Sequence, residues 1–142
     1  MKKAVGIAMV VLMSTLTCKK KEDNVVSTWK VDNNNRTAQS VIVQGNQLIA
    51  TDRANSIVVT FGGSFPATAG SLPIVAANPQ AGEVSVTVTE GQLVLYTTTG
   101  KDKKSASVAK EGSKIRISIP EVHAVRVAGT DSVTVWGDLR EP

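Results

Sequence analysis

EVSVTVTEGQLVLYTTT, residues 83–99, decides the fold class of this chain. Val84, Val86 and Val88 alternate with Ser85, Thr87 and Thr89, a period of two that sends the valines to one face and the hydroxyls to the other. Glu90-Gly91 then breaks the alternation with a turn residue, and it resumes afterwards, so the stretch reads as a hairpin. The second arm leaves its inner face open: Tyr96 shares a side with Val94, opposite Leu93 and Leu95.

The same period extends on both sides. Residues 113–119 set Ile115, Ile117 and Ile119 against Lys114, Arg116 and Ser118, and are expected to stop at Pro120, which has no N–H for a ladder. Further short runs fall at 26–31, 39–44, 47–51, 56–61, 72–75, 106–110, 123–128 and 132–139. Turn signals separate nearly all of them: Asn33-Asn34-Asn35, Gly45-Asn46, Gly62-Gly63, Thr99 to Asp102, and Gly129-Thr130-Asp131. No stretch of ten residues carries a capped helical stripe. About ten short strands at this spacing predict an all-β, antiparallel domain. Several strands alternate cleanly and so have one face in the core, which favours a two-sheet β-sandwich, immunoglobulin-like or jelly-roll-like, over a barrel.

At 142 residues the chain has room for one domain. Its formal charge of +4 includes Lys2 and Lys3; without them 14 basic side chains face 12 acidic ones, too mild and mixed a balance for a nucleic-acid surface. One cysteine, Cys18, excludes an internal disulfide, and a domain of this size folds without one.

Cys18 has a more specific context. Lys2 and Lys3 precede an uncharged run from Ala4 to Met13, too short for a bilayer that takes roughly 20 helical residues but of signal-peptide length. Ser14, Thr15, Leu16 and Thr17 follow, then Cys18. Nothing near Cys18 in sequence offers a base, so a catalytic thiol is not expected. The order resembles a bacterial lipoprotein signal, in which the peptide is cut just before a cysteine that becomes lipid-modified, and in particular the looser signals of Bacteroidetes lipoproteins. Lys21-Glu22-Asp23 resembles the Lys-acid-acid signal that directs some of these proteins to the outer cell surface. The Thr28-Trp29-Lys30-Val31-Asp32 entry and the Gly137-Asp138-Leu139-Arg140-Glu141 ending are also similar to those small lipoproteins. The resemblance implies a signal peptide over 1–17, a lipidated Cys18 opening a charged tether to residue 26, and one β-rich extracytoplasmic domain over 27–142. It places the chain on the outer membrane, at the cell surface or alternatively on the periplasmic face, and implies no reaction.

Chemistry-bearing motifs are sparse. His123 is the only histidine, and there is no GxSxG elbow, Walker loop, HExxH or dinucleotide fingerprint. No enzymatic activity, cofactor or metal is expected. Asp32-Asn33-Asn34-Asn35 clusters oxygens as calcium sites do, but lacks the spaced acids of an EF-hand and reads as a turn. Asp131-Ser132-Val133 resembles the Asp-Ser/Thr-aliphatic triplet O-glycosylated in exported Bacteroidetes proteins, making Ser132 a candidate glycosylation site. Trp136 alternates with Val133 and Val135 and is the best candidate for an exposed sugar-stacking platform, with Tyr96 a second; Trp29 shares a face with Val31 and belongs to the core. Lys101, Lys103 and Lys104 form a basic knob, and residues 64–82, with three prolines, an irregular excursion of the kind that forms binding loops.

The expected function is a lipid-anchored, non-enzymatic interaction module of the cell envelope, whose partner is another envelope protein or a glycan. One alternative is a carbohydrate-binding module of a glycan-uptake system; another is an unfamiliar hydrolase, needing an acid and a hydroxyl within reach of His123. If Cys18 is the anchor, Cys18→Ala abolishes metabolic palmitate labelling and moves the protein out of the membrane fraction; labelling that survives the substitution refutes the anchor.

Overall fold

The computed structural model describes residues 26–91 and 93–142, and all the regular elements among them are strands. In chain order they are β1 (Thr28–Val31), β2 (Asn34–Thr37), β3 (Ser40–Gln44), β4 (Gln47–Asp52), β5 (Asn55–Phe61), β6 (Gly70–Pro73), β7 (Val84–Glu90), β8 (Val94–Thr98), β9 (Ser105–Glu111), β10 (Lys114–Arg126) and β11 (Ser132–Arg140). Cys18, Lys21, Glu22 and Asp23 lie outside the described residues.

The opening hairpin forms, and its register shows how the core is built. Val84, Val86 and Val88 stand opposite Phe61, Val59 and Ile57 of β5, and Val59 and Ile57 in turn stand opposite Leu48 and Ala50 of β4. All eight are buried, so three neighbouring strands present one continuous apolar surface. Burying each of the larger side chains is worth roughly 1.5–3 kcal/mol. Tyr96 stands opposite Val88 and packs against this core, which settles the second arm: Leu93 and Leu95 face water. The other half of the core comes from β10 and β11, where Ile117 pairs with Leu139 and Val122 with Val135.

These halves belong to one strongly curled open sheet, a half-barrel with the path β2-β1-β11-β10-β8-β7-β5-β4-β3, and not to the two separate sheets expected. The bridging strand is β10. Its first part pairs with β9 and its last part with β8, while β11 runs beside both, so one ladder carries the chain from one side of the core to the other. The curl is tight enough that a Cβ on Gly137 of β11 would stand 3.2 Å from Ile119 Cδ1 and 3.4 Å from Ile57 Cδ1. The two end strands of the path are consecutive in the chain. At the corner between them the Ala38 N–H donates to Ser27 O at 2.9 Å and the Gln39 N–H to Thr51 O at 2.8 Å. An ion pair at 2.7 Å between Arg36 of β2 and Glu90 of β7 ties the two sides again.

Two local expectations are corrected. The strand predicted to stop at Pro120 runs on to Arg126 and absorbs the separate strand expected at 123–128. Pro120 is tolerated because the register shifts there: Ile119 faces Gly137 and Val122 faces Val135, leaving Pro120 and Glu121 together opposite Trp136, a β-bulge that asks no ladder donor of the proline. Asn34 and Asn35, read as turn residues, begin β2 instead. The turn needs only Asp32 and Asn33, with Asp32 at φ 51°.

The 64–82 excursion folds back onto the sheet. Its strand β6 pairs with β9, Ile74 makes a parallel bridge with Val84, and the buried Thr98 hydroxyl donates to Val75 O at 2.7 Å. Gly62 opens this excursion where no side chain fits: a Cβ there would lie 1.7 Å from Gln80 O and 2.2 Å from Gln80 C. Because those atoms are backbone, Gly62→Ala must displace the 78–83 chain, and we expect a loss of about 1–3 kcal/mol in urea unfolding. Gly70→Ala, with no atom within 4 Å of its Cβ, serves as the comparison and should stay within about 0.5 kcal/mol of the wild type.

Candidate functional site

The outer face of β2, β1, β11 and β10 gathers most of the singled-out residues. Along β11 the alternation buries Val135, Gly137 and Leu139 and turns Thr134, Trp136 and Asp138 outward. Trp136 is 40% exposed, whereas Trp29 on the neighbouring strand is 1% exposed. One residue of register separates these fates: Trp29 stands opposite Gly137 on the core side, and Trp136 opposite Lys30 on the solvent side.

Trp136 is flanked on both sides across the sheet. Lys30 and, beyond it, Asn35 extend the row on one side, and the Pro120-Glu121 bulge lies on the other. Its neighbours along β11 are fixed by side-chain bonds. Asp138 receives two bonds of 2.7 Å from the Arg116 guanidinium, which also reaches Glu111 at 3.4 Å, while Arg140 holds the second Glu111 oxygen at 2.6 Å. The Asp138 carboxylate raises the Arg116 pKa well above the ordinary value, so the guanidinium side of this fork stays charged. Thr134 donates both its N–H, at 2.8 Å, and its hydroxyl, at 3.2 Å, to Asp32 Oδ1. The Asp32 carboxylate thus closes the β1–β2 turn onto β11. Among the described residues no three of His, Cys, Asp and Glu gather as a metal site would require.

The basic knob reaches the same face. Asp102, in the turn between β8 and β9, accepts the His123 N–H at 2.6 Å and meets His123 Nδ1 at 3.0 Å. Lys104 donates its ammonium to the carbonyl of Glu121, inside the bulge opposite Trp136. Trp136, His123 and the lysine turn, read as separate features in the sequence, therefore share one outer face with Lys30. His123 is 64% exposed on its side chain and has an acid partner, but the hydroxyl in register with it, on Thr134, is engaged with Asp32.

Tyr96 is not part of this surface: it packs against the core, on the opposite side of the sheet from Trp136. Ser132 is exposed at the first position of β11, reachable from solvent. The excursion borders an open pocket of about 380 Å³ lined by Phe61, Gly62, Gly63, Pro66, Leu72 and Glu83. No family model, curated protein or solved structure matches the chain.

Sequence reasoning missed Lys30 as the neighbour of Trp136, and missed the Asp102–His123 and Arg116–Asp138 pairs. The first carried a usable signal, since Lys30 alternates with Trp29 and must face out if Trp29 faces in. The pairs join residues 21 and 22 positions apart and depend on which strands adjoin.

The backbone and side-chain bonds from His123 lower the Asp102 pKa below its ordinary 3.8, the backbone bond contributing most. A carboxylate with a depressed folded pKa adds stability that is present above the unfolded value and lost as pH falls through the folded one. Asp102→Asn is expected to cost about 1 kcal/mol at pH 7 in chemical unfolding. That difference from the wild type should shrink below pH 3.8 and close at lower pH. A difference independent of pH would show that the charge is not what holds this turn.

Proposed function

We propose that this protein is a lipid-anchored, non-enzymatic recognition module of the cell envelope, held to the outer membrane through Cys18 and presenting the outer face around Trp136 to a partner. The observation that carries this reading is the exposure of Trp136 on a face whose neighbouring side chains are pinned by ion pairs and hydrogen bonds. A large rigid aromatic left in water amid fixed polar groups is the composition from which recognition surfaces draw their binding energy. The curled sheet supports it as the expected sandwich would, with a closed apolar core behind one polar outer face. The small-lipoprotein resemblance accounts for the tether, and Lys21, Glu22 and Asp23 direct the domain outward. Ser132, at the rim of the same strand, is a candidate site of O-glycosylation.

The glycan-binding alternative is favoured by one specific feature: Trp136 has Lys30 beside it and Glu121 across from it, donor and acceptor flanking a stacking plane. A single aromatic makes such a platform a weak one, since Tyr96 lies on the other side of the sheet. The exposed His123, with its hydroxyl neighbour on Thr134 engaged elsewhere, gives the hydrolase reading no support of its own.

Trp136→Ala discriminates among these readings. Pull-down of the mature protein from envelope extract should lose its captured partner on this substitution, with the unfolding midpoint changed little. A glycan-array signal that disappears with Trp136 would assign the glycan reading. Capture unchanged by Trp136→Ala would remove this face as the recognition surface.

A further inference from the structure

We propose that the chain pairs with a second copy of itself along β3, edge to edge, in a two-fold antiparallel seam centred on Ile42. Among the described residues the strand ends the sheet path and is hydrogen-bonded to β4 alone. Such an edge offers unpaired N–H and C=O groups as a template for another strand, and proteins ordinarily blunt it with charge, proline or a bulge facing out. The other two free edges among the described residues are protected. Arg36 lies in β2 and is tied to Glu90, and β6 contains Pro73. In contrast, β3 reads Ser-Val-Ile-Val-Gln without charge or proline, and exposes Ile42 by 47% and Val43 by 37%.

The ladder to β4 determines which groups are free. Gln44 and Gln47 flank the two-residue Gly45-Asn46 turn as the closing hydrogen-bonded pair, and alternation makes Ile42–Ile49 the next such pair. The amides and carbonyls of Val41 and Val43 therefore point away from β4. A two-fold axis through Ile42 lays Val41 of one copy opposite Val43 of the other, so that both pairs exchange their free N–H and C=O groups. Ile42 then meets its own copy as a non-hydrogen-bonded pair, the closer kind, with Cα atoms about 4.5 Å apart.

Three features favour a second copy over a foreign segment. The strand is symmetric in character about Ile42, so one register satisfies both partners. It carries no charge to repel its copy. Val26, the first described residue, lines an open pocket with Ser40 and Val41, so a second copy seated on β3 adds apolar contact beside the seam. A two-fold contact of this kind closes on itself, and the protected β2 and β6 edges stop further growth.

The test is disulfide trapping in full-length protein in its native membranes. Ile42→Cys should form, under mild oxidation, a reducible species of two chain masses, since a cross-strand pair at this spacing meets disulfide geometry. Thr37→Cys, on the β2 edge, should not. Wild type oxidised in parallel reports any bond formed through Cys18. Adding Val43→Pro, which removes an outward N–H and no bond to β4, should abolish trapping at position 42. Ile42→Cys that remains monomeric, or that traps no better than Thr37→Cys, overturns the proposal. So does a disulfide to a different protein, which would make β3 a strand-addition site for a partner. Light scattering of the wild type in detergent should give twice the chain mass after correction for the micelle, and a single chain mass would overturn the seam.

Discussion

The Pro120-Glu121 bulge is the feature on which the remaining architecture depends. A strand of thirteen residues cannot keep one straight neighbour on each side and also curl around a core this small. Where two residues of β10 oppose one of β11, the strand bends and its second neighbour changes from β9 to β8. Proline suits that position because the ladder asks no donor of it, and it resists a return to regular pairing. The bend brings Ile119 and Gly137 over Ile57, closing the core between strands far apart along the sheet path. The same bulge leaves Trp136 as the single residue facing two. The device that closes the core thus also frames the exposed aromatic.

How much of this is legible in the sequence follows from what each residue pattern reports. Alternation speaks for one strand at a time, and it placed Val84 to Val88, Ile115 to Ile119, Val133 and Val135, and Trp29 correctly on the inner face. It was silent for β8, where both faces carry apolar residues; only the register of Tyr96 against Val88 decides that Leu93 and Leu95 are the exposed pair. The number of sheets was not legible, because clean alternation is equally the mark of a half-barrel whose inner face alone is dry. Pro120 misled for a related reason. The missing N–H argues against a ladder, but the bulge that accommodates it depends on a neighbouring strand twelve residues further along the chain.

The outer face shows the same limit at the level of side chains. Its pairs, Asp32 with Thr134, Arg116 with Asp138 and Asp102 with His123, join positions 102, 22 and 21 residues apart. No local spacing rule reaches such separations, since strand order decides them. The individual features were visible as an Asx-rich turn, a lone histidine, a lysine cluster and an outward tryptophan. What the fold adds is that they share a surface.

The energetics of that surface bear on its role. Exposed ion pairs contribute little to stability, typically up to about 1 kcal/mol, so stability alone does not explain a network that holds both strand neighbours of Trp136. Its larger effect is geometric. Bidentate Arg116 and the doubly bonded Asp32 fix the direction of β11 on either side of the indole, removing motion that a partner would otherwise have to arrest on binding. Ordering an interface side chain on association costs roughly 0.5–1.5 kcal/mol, and a strand already locked at positions 134 and 138 avoids part of that cost. At the opposite end of the sheet path, the uncharged β3 has no second strand neighbour among the described residues, whereas this face is braced. The two regions therefore match the two contacts proposed for them, side-chain recognition around Trp136 and backbone pairing along β3.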